Sequence, residues 1–416
     1  MEEAVRLREP NRKQLILQPT DIEGLIDSEH PARAIWRVVL ETMDLSRFCE
    51  PIRAREGVAG RDASDPRMLL ALWLYAISQG VNSAREIARL CEAHSAYRWI
   101  CGGVSVNYHT LSDFRSAHPA ALDELMTRLL GSLLKRGLLT LERVAQDGTR
   151  VRTSAGAASF RRRHSLERCL AQAQAHLAAL EQQAAADLSA RQQAARERAA
   201  RDYEQRCRQA LAEFEQLSEH PAAGKNRKRE LRVSTTDRQA RVMKLADGGY
   251  APAYNLQLAT DTQSRLSVGA LASNSGSDSQ QLAPMQDEIE RRSKLVPRQH
   301  LVDGGYHSFA AVEHSAERGI EVFSPPRHNR TYHIDPLAPQ PHDSPAIADY
   351  RQRMASAEGQ AIYRERAATA ETVNADLKCW RGLDRLLVRG LNKVTSVMLL
   401  AVLTYNLMRC IRLGWL

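Results

Sequence analysis

Leu301-Val302-Asp303-Gly304-Gly305-Tyr306 decides how this chain is read. Apolar β-formers run into an aspartate and two glycines follow at once, the pattern of a buried strand that presents a carboxylate and then turns. Paired glycines at such a point allow positive φ and let a bulky ligand come close. Most Asp-Gly pairs are ordinary strand-end turns, so the surroundings must give this one a further meaning.

Upstream, 141–149 reads as a short strand ending in a second pair, Asp147-Gly148. Segments 254–260 and 266–273 flank a polar turn and predict a hairpin. Ser277 is expected to cap a helix through Arg292. A strand at 300–303, a helix at 309–318 and a strand at 320–323 follow. A proline-rich loop covers 325–345, and helices are expected at 346–357, 361–379 and 392–411. A three-stranded meander followed by strand–helix alternation is the order of an α/β, RNase H-like mixed sheet with flanking helices. It places Asp147 and Asp303 on strands of one sheet.

Residues 1–20 read as a leader, and the pattern from 31 to 119 is helical. Asp65-Pro66 is a cap with proline at the first helical position, and 68–77 (MLLALWLYAI) is apolar enough for a central helix. Ser83 caps the next helix, and 107–115 opens a third after Gly102-Gly103. Short helices with a glycine-bearing turn suit a helix-turn-helix-like unit, with a plain bundle as the competing reading. Residues 161–217 contain no Gly or Pro and carry a narrow apolar stripe through Leu166, Leu170, Ala173, Leu177 and Leu180. One helix there would be about 80 Å long, so a hairpin breaking near Asp187-Leu188-Ser189 is preferred.

The chain has 416 residues and a formal charge of +9, with a pI near 9.3. That balance favours a polyanionic partner, because Lys and Arg exchange counterions for phosphate contacts. Its seven cysteines are scattered without a Cys-x-x-Cys, which suits a reducing cytoplasm. Residues 1–14 are charged and lack the apolar core of a secretory signal. The most apolar run, 394–407, is interrupted by Thr395, Ser396, Thr404 and Asn406, and fits a buried helix rather than a membrane span.

Phosphoryl transfer on DNA uses two divalent ions roughly 4 Å apart, one for the nucleophile and one for the leaving oxygen. Mg²⁺ takes carboxylate oxygen and keeps several waters, so two or three acids from separate elements suffice. The third acid is sought on a helix crossing the sheet, within 363–378. On a regular helix Arg364, Glu371 and Lys378 lie seven apart and share a face, which sets a carboxylate between two cations for phosphates. A solvated charged face is the usual meaning of such spacing. Its coincidence with two Asp-Gly pairs favours a site. Glu358 and Glu365 have no cation seven residues later.

At this point the chain resembles the DDE transposases of bacterial insertion sequences, with an InsH-like N-terminal helical domain. The matching stretches are Asp147-Gly148-Thr149 with Val151-Arg152, the segment Ala246-Asp247-Gly248-Gly249-Tyr250-Ala251-Pro252-Ala253-Tyr254-Asn255, and Val302 to Tyr306. Arg353-Met354-Ala355-Ser356 through Glu371, and Leu387-Val388-Arg389-Gly390-Leu391-Asn392-Lys393-Val394, also match. The resemblance runs from about residue 20 onward. It implies metal carboxylates at Asp147, Asp303 and Glu371, two Mg²⁺ ions with Mn²⁺ as a substitute, and DNA cutting and joining by water and then a 3′-hydroxyl. It also implies double-stranded DNA partners, namely terminal inverted repeats and target DNA. The family's Tyr-Arg-Glu-Lys signature falls on Tyr363, Arg366, Glu371 and Lys378, read as DNA-binding. Four residues separate Arg366 from Glu371 where three are usual. On a regular helix this turns Arg366 away by about a quarter turn, so Arg364 is expected to take the phosphate role. Asp247, in the near-copy of the opening stretch, follows a segment with no clear strand and is a weaker metal candidate.

The expected division is a leader at 1–20, a helical DNA-binding domain at 21–136, and a catalytic domain at 137–416. A helical insertion at 161–220 and a basic connector at 221–250 interrupt the catalytic domain. The expected activity is a transposase in the cytoplasm at the nucleoid, off the membrane, and a homodimer when two DNA ends are paired. The alternatives are a catalytically silent or domesticated DNA-binding derivative, and an RNase H-like nuclease that cuts without joining.

Overall fold

A computed structural model describes residues 21–55, 57, 59, 61–182, 190–219, 231–326 and 335–416. The leader at 1–20, the expected break at 187–189 and the basic run at 224–229 lie outside the described residues.

The helical unit comprises α1 (Pro31–Thr42), α2 (Ser46–Cys49), α3 (Pro66–Ser78), α4 (Ala84–Ala93), α5 (Ser95–Cys101), α6 (Tyr108–Ala117) and α7 (Pro119–Lys135). Local sequence sets their ends. The Asp65 carboxylate accepts from Arg67 N at 2.8 Å, Asn107 accepts from Thr110 N at 2.9 Å, and Ser83 caps α4. Gly102 closes α5 in the left-handed region. Such caps satisfy terminal groups that the helix ladder cannot. α3 is apolar all round because it is buried all round, from Met68 to Ile77.

The strands are β1 (Arg143–Arg152), β2 (Phe160–Arg161), β3 (Val233–Ser234), β4 (Arg241–Lys244), β5 (Tyr250–Asp261), β6 (Ser267–Ser273), β7 (Gln299–Leu301) and β8 (Glu321–Phe323). The main sheet runs β6-β5-β1-β7-β8, and the first residues of β5 also pair with β4. β5 is antiparallel to β1 and β6, while β7 is parallel to β1 and β8 parallel to β7. This is the RNase H-like arrangement expected from the element order. Three local expectations are corrected. β1 does not stop at Asp147-Gly148 but continues to Arg152, because β5 pairs with it throughout. Residues 241–244 form a strand, held by the start of β5. Helix α10 (Leu282–Ser293) starts after Gln281 rather than Ser277, because the chain first turns to bring Asp278 to its partners on β1 and β5.

The insertion is a hairpin of α8 (Arg163–Gln182) and α9 (Ala190–Glu219). Gln193 Nε2 donates to Leu180 O at 3.2 Å, and Leu166 packs with Ala210 and Val233. The β2–β3 pair closes its base. The remaining helices are α11 (Phe309–Glu317), α12 (Pro345–Ala355), α13 (Ala357–Arg366), α14 (Thr372–Ala375) and α15 (Leu391–Arg412). A π-helical turn, Ala367–Glu371, joins α13 to α14, and a second one, Asp376–Trp380, follows.

α15 fills the space between the helical unit and the sheet, packing on α3, α6, α7 and β6. The residues it touches form one continuous apolar cluster running from Ala32 to Cys410. Asn406 brackets Ser267 of β6, accepting from its N–H at 2.9 Å and donating to its carbonyl at 2.8 Å. Ser396 Oγ donates to Arg115 O on α6 at 2.7 Å. α15 is long and apolar enough to cross a membrane, yet 78% of its most apolar window is buried inside the protein.

Candidate active site

The register of the parallel pair brings the two aspartates together. Ala145 of β1 is paired with Leu301 of β7, and Asp147 and Asp303 each lie two residues further on. Both leave the same face of the sheet, because side chains alternate along a strand. Asp303 is just past β7, in a turn closed by Tyr306 N to Asp303 O at 3.2 Å. Its Oδ1 accepts from Gly305 N at 2.7 Å. Neither Gly304 nor Gly305 takes positive φ. Gly305 is there for space, since a Cβ would sit 2.9 Å from Asp303 Oδ1.

The carboxylate face is covered by the α13–α14 helix. Asn374 Nδ2 donates to Asp147 Oδ2 at 3.0 Å, and Gly148 N donates to Oδ1 at 2.9 Å. Burial raises the Asp147 carboxyl above its ordinary value, with the charges of Asp303 and Asp278 adding and Arg366 opposing. Burial works against the charge of Arg366, but Tyr363, Asp147 and Asp303 together hold its guanidinium above the ordinary value. Arg366 also stacks loosely over Tyr363, 6.0 Å from the ring centre. It reaches Glu371 Oε1 at 3.7 Å.

That contact corrects the expectation that Arg366 turns away from Glu371. The extra residue between Arg366 and Glu371 is looped into the π turn. A turn of this kind brings residues five apart onto one face, as α geometry does for residues four apart. Arg366 therefore faces the carboxylates, and Arg364 is exposed. Glu371 stands at the rim, 64% exposed. Lys378 is half-buried, its ammonium pushed down by burial and by Arg150, with Asp147 opposing. Glu365 is held by Arg143 at 2.5 Å. Asp247 lies on the β4–β5 turn, exposed and paired with Arg152 at 2.7 Å. Arg152 is five residues beyond Asp147, about 17 Å along the strand.

The opposite face of the sheet holds a buried polar network that the sequence reading missed. Asp278 accepts from Asn255 Nδ2 and Gln257 Nε2, both at 2.7 Å, and from Arg150 at 2.5 Å. Gln257 Oε1 accepts from Tyr306 OH at 2.5 Å and from Gln146 Nε2 at 2.9 Å. Tyr306 thus ties the Asp303 turn to β5. Gly148 packs directly on this network. The signal in the sequence was period-two polarity, Gln146–Arg150 on β1 and Asn255–Gln257 on β5, within strands otherwise read as buried.

Among the described residues no three acidic, histidine or cysteine side chains converge on one point. The donor chemistry nevertheless fits a hard divalent ion, which needs one or two protein carboxylates beside waters and substrate phosphates. Asp147 and Asp303 supply such a pair, and Arg366 supplies the positive charge that such a pair requires.

Residues 230–407 match the family model described as transposase DDE domain, and residues 20–117 match the transposase domain DUF772. The first match contains Asp303 and Glu371 and begins after the helical insertion that separates it from Asp147. Nothing matches among curated proteins or among solved structures. The two family matches together cover about two thirds of the sequence, at both ends of a fold with the RNase H-like strand order, and the chain carries a transposase DDE domain and a DUF772 transposase domain, the combination consistent with a DDE transposase.

Proposed function

We propose that this transposase binds the terminal inverted repeats of an insertion sequence and catalyses metal-dependent strand cleavage and strand transfer with Asp147, Asp303 and Glu371. The supporting observation is the parallel register that sets Asp147 beside Asp303 under Arg366. Asp147 and Asp303 would hold two Mg²⁺ or Mn²⁺ ions, with Glu371 at the rim. Ions bound there lower the pKa of the attacking water or 3′-hydroxyl and neutralise charge on the leaving oxygen. Arg366 and Lys378 pair with the flanking phosphates, which lose their hydration as the duplex seats. Tyr363 supports the Arg366 guanidinium from below. The helical unit at 21–136 is the end-binding part, and paired ends require a homodimer. The protein works in the cytoplasm, at the nucleoid.

Duplexes carrying the element's ends, incubated with the purified protein and Mg²⁺, are expected to yield nicked and then joined products. Asp303→Ala is expected to abolish both while duplex binding survives. Full cleavage and joining by that variant would overturn the assignment. Cleavage without joined products points to a nuclease, and binding without cleavage to a silent derivative.

A further inference from the structure

We propose that Arg265, at the tip of the β5–β6 hairpin, is a positioning residue that holds the Ala367–Glu371 π turn and so sets Arg366 and Glu371 against the two aspartates. The proposal rests on the active-site reading above. An i→i+5 turn carries one residue more than an α turn, so the backbone ladder runs short of a donor there. Two side chains meet at that point. Arg265 Nη1 donates to Ala368 O at 2.5 Å, and Thr372 Oγ1 donates to the same oxygen at 2.8 Å. Thr369 Oγ1 donates to Glu365 O at 2.8 Å one turn earlier.

The extra turn has little packing of its own. Ala367 and Ala368 are exposed methyl-bearing residues, and only Thr369 and Ala370 are buried. Arg265, by contrast, is firmly placed. It sits at φ 61, a conformation costly for a residue with a Cβ. Its N–H donates to Asp261 O at 3.0 Å. Tyr405 OH of α15 donates to its carbonyl at 2.8 Å, and Arg409 of the same helix bonds Ser264 O beside it. The strained tip is thereby anchored to the core, and its guanidinium is aimed at the first of the two π turns, the one between Arg366 and Thr372. Were the donor lost, the helix would relax towards α geometry and turn Glu371 away from Arg366 by about a quarter turn.

The test compares Arg265→Ala, Arg265→Lys, and Arg265→Ala combined with deletion of Ala368, which restores α spacing between Arg366 and Glu371. Each is measured for cleavage turnover, KM for end duplex, and amide exchange over 367–372. Arg265→Ala is expected to lower turnover about a hundredfold with KM nearly unchanged. It is also expected to speed exchange in 367–372 alone. Arg265→Lys recovers part of the loss, and the deletion recovers turnover to within about tenfold. Unchanged exchange in Arg265→Ala overturns the proposal whatever the chemistry of the site. So does a rise in KM that the deletion fails to rescue, which would mark Arg265 as a DNA contact. Retained activity in Asp303→Ala, with exchange at 367–372 still dependent on Arg265, would instead sink the active-site reading alone.

Discussion

Replacing Gly148 by alanine adds one methyl group at the point where β1 lies against the buried polar network. An added Cβ would collide first with Gln257 Nε2, and would stand 2.6 Å from Asp278 Oδ1 and 2.8 Å from Asn255 Oδ1. Flexible side-chain ends normally yield to such a contact, but the Gln257 and Asn255 amides both donate to Asp278 Oδ1 at 2.7 Å. Moving one therefore stretches the others. Overpacking costs about 1–3 kcal/mol, and a hydrogen bond to a buried carboxylate about 1.5–3 kcal/mol when lost. Because the network can shift as a body, the terms do not add in full, and a loss of about 2–4 kcal/mol is expected. The remaining strain displaces β1 beside Asp147, so cleavage is expected to fall more than about tenfold. Thermal unfolding and cleavage of an end duplex, read on the same preparation, check both parts. A melting temperature within about 1 °C of the parent, with parental cleavage, would refute the reasoning.

Two further outcomes follow from buried polar groups. His300 on β7 is fully buried with neither ring nitrogen bonded, and burial lowers it from 6.5 to about 3. Between those values the unfolded chain takes up a proton that the folded chain refuses, so stability is lost as pH falls, by at most about 1.4 kcal/mol per unit. His300→Leu is expected to flatten the acid limb of denaturant stability between about pH 6 and 4, and parallel limbs would disprove it. Asn406→Leu removes both bonds to the Ser267 backbone and is expected to cost about 2–4 kcal/mol. Urea titration with an unchanged midpoint would count against that role.

The order β6-β5-β1-β7-β8 could be read from the sequence because each of those strands is bounded by its own turn residues and carries its own apolar run, whereas β4 has no such run. Asp303 was found the same way. The twin motif at Asp247 shows the limit of such reading. Asp247 Oδ1 accepts from Gly249 N at 3.0 Å, the same local bond that Asp303 makes with Gly305. What separates them is the partner strand, and pairing between distant segments leaves little trace in local composition. Arg366 shows another limit. Its spacing from Glu371 breaks the α rule, and only the backbone of Ala367–Glu371 reveals that the helix departs from that rule too. The Asp278 network was obscured because its members come from β1, β5 and two loops, each contributing one or two polar residues to an apolar background.

The position of α15 has a consequence for the order of synthesis. It leaves the ribosome after every other element described, yet it lies between the helical unit and the sheet and bonds to both through Ser396 and Asn406. Until it arrives, the apolar faces of α3 and β6 that pack on it lack their partner, so the helical unit and the sheet cannot complete their shared core before the last helix is made. A nascent or prematurely terminated chain would therefore carry Asp147, Asp303 and Glu371 and still lack the core that joins the helical unit to the sheet.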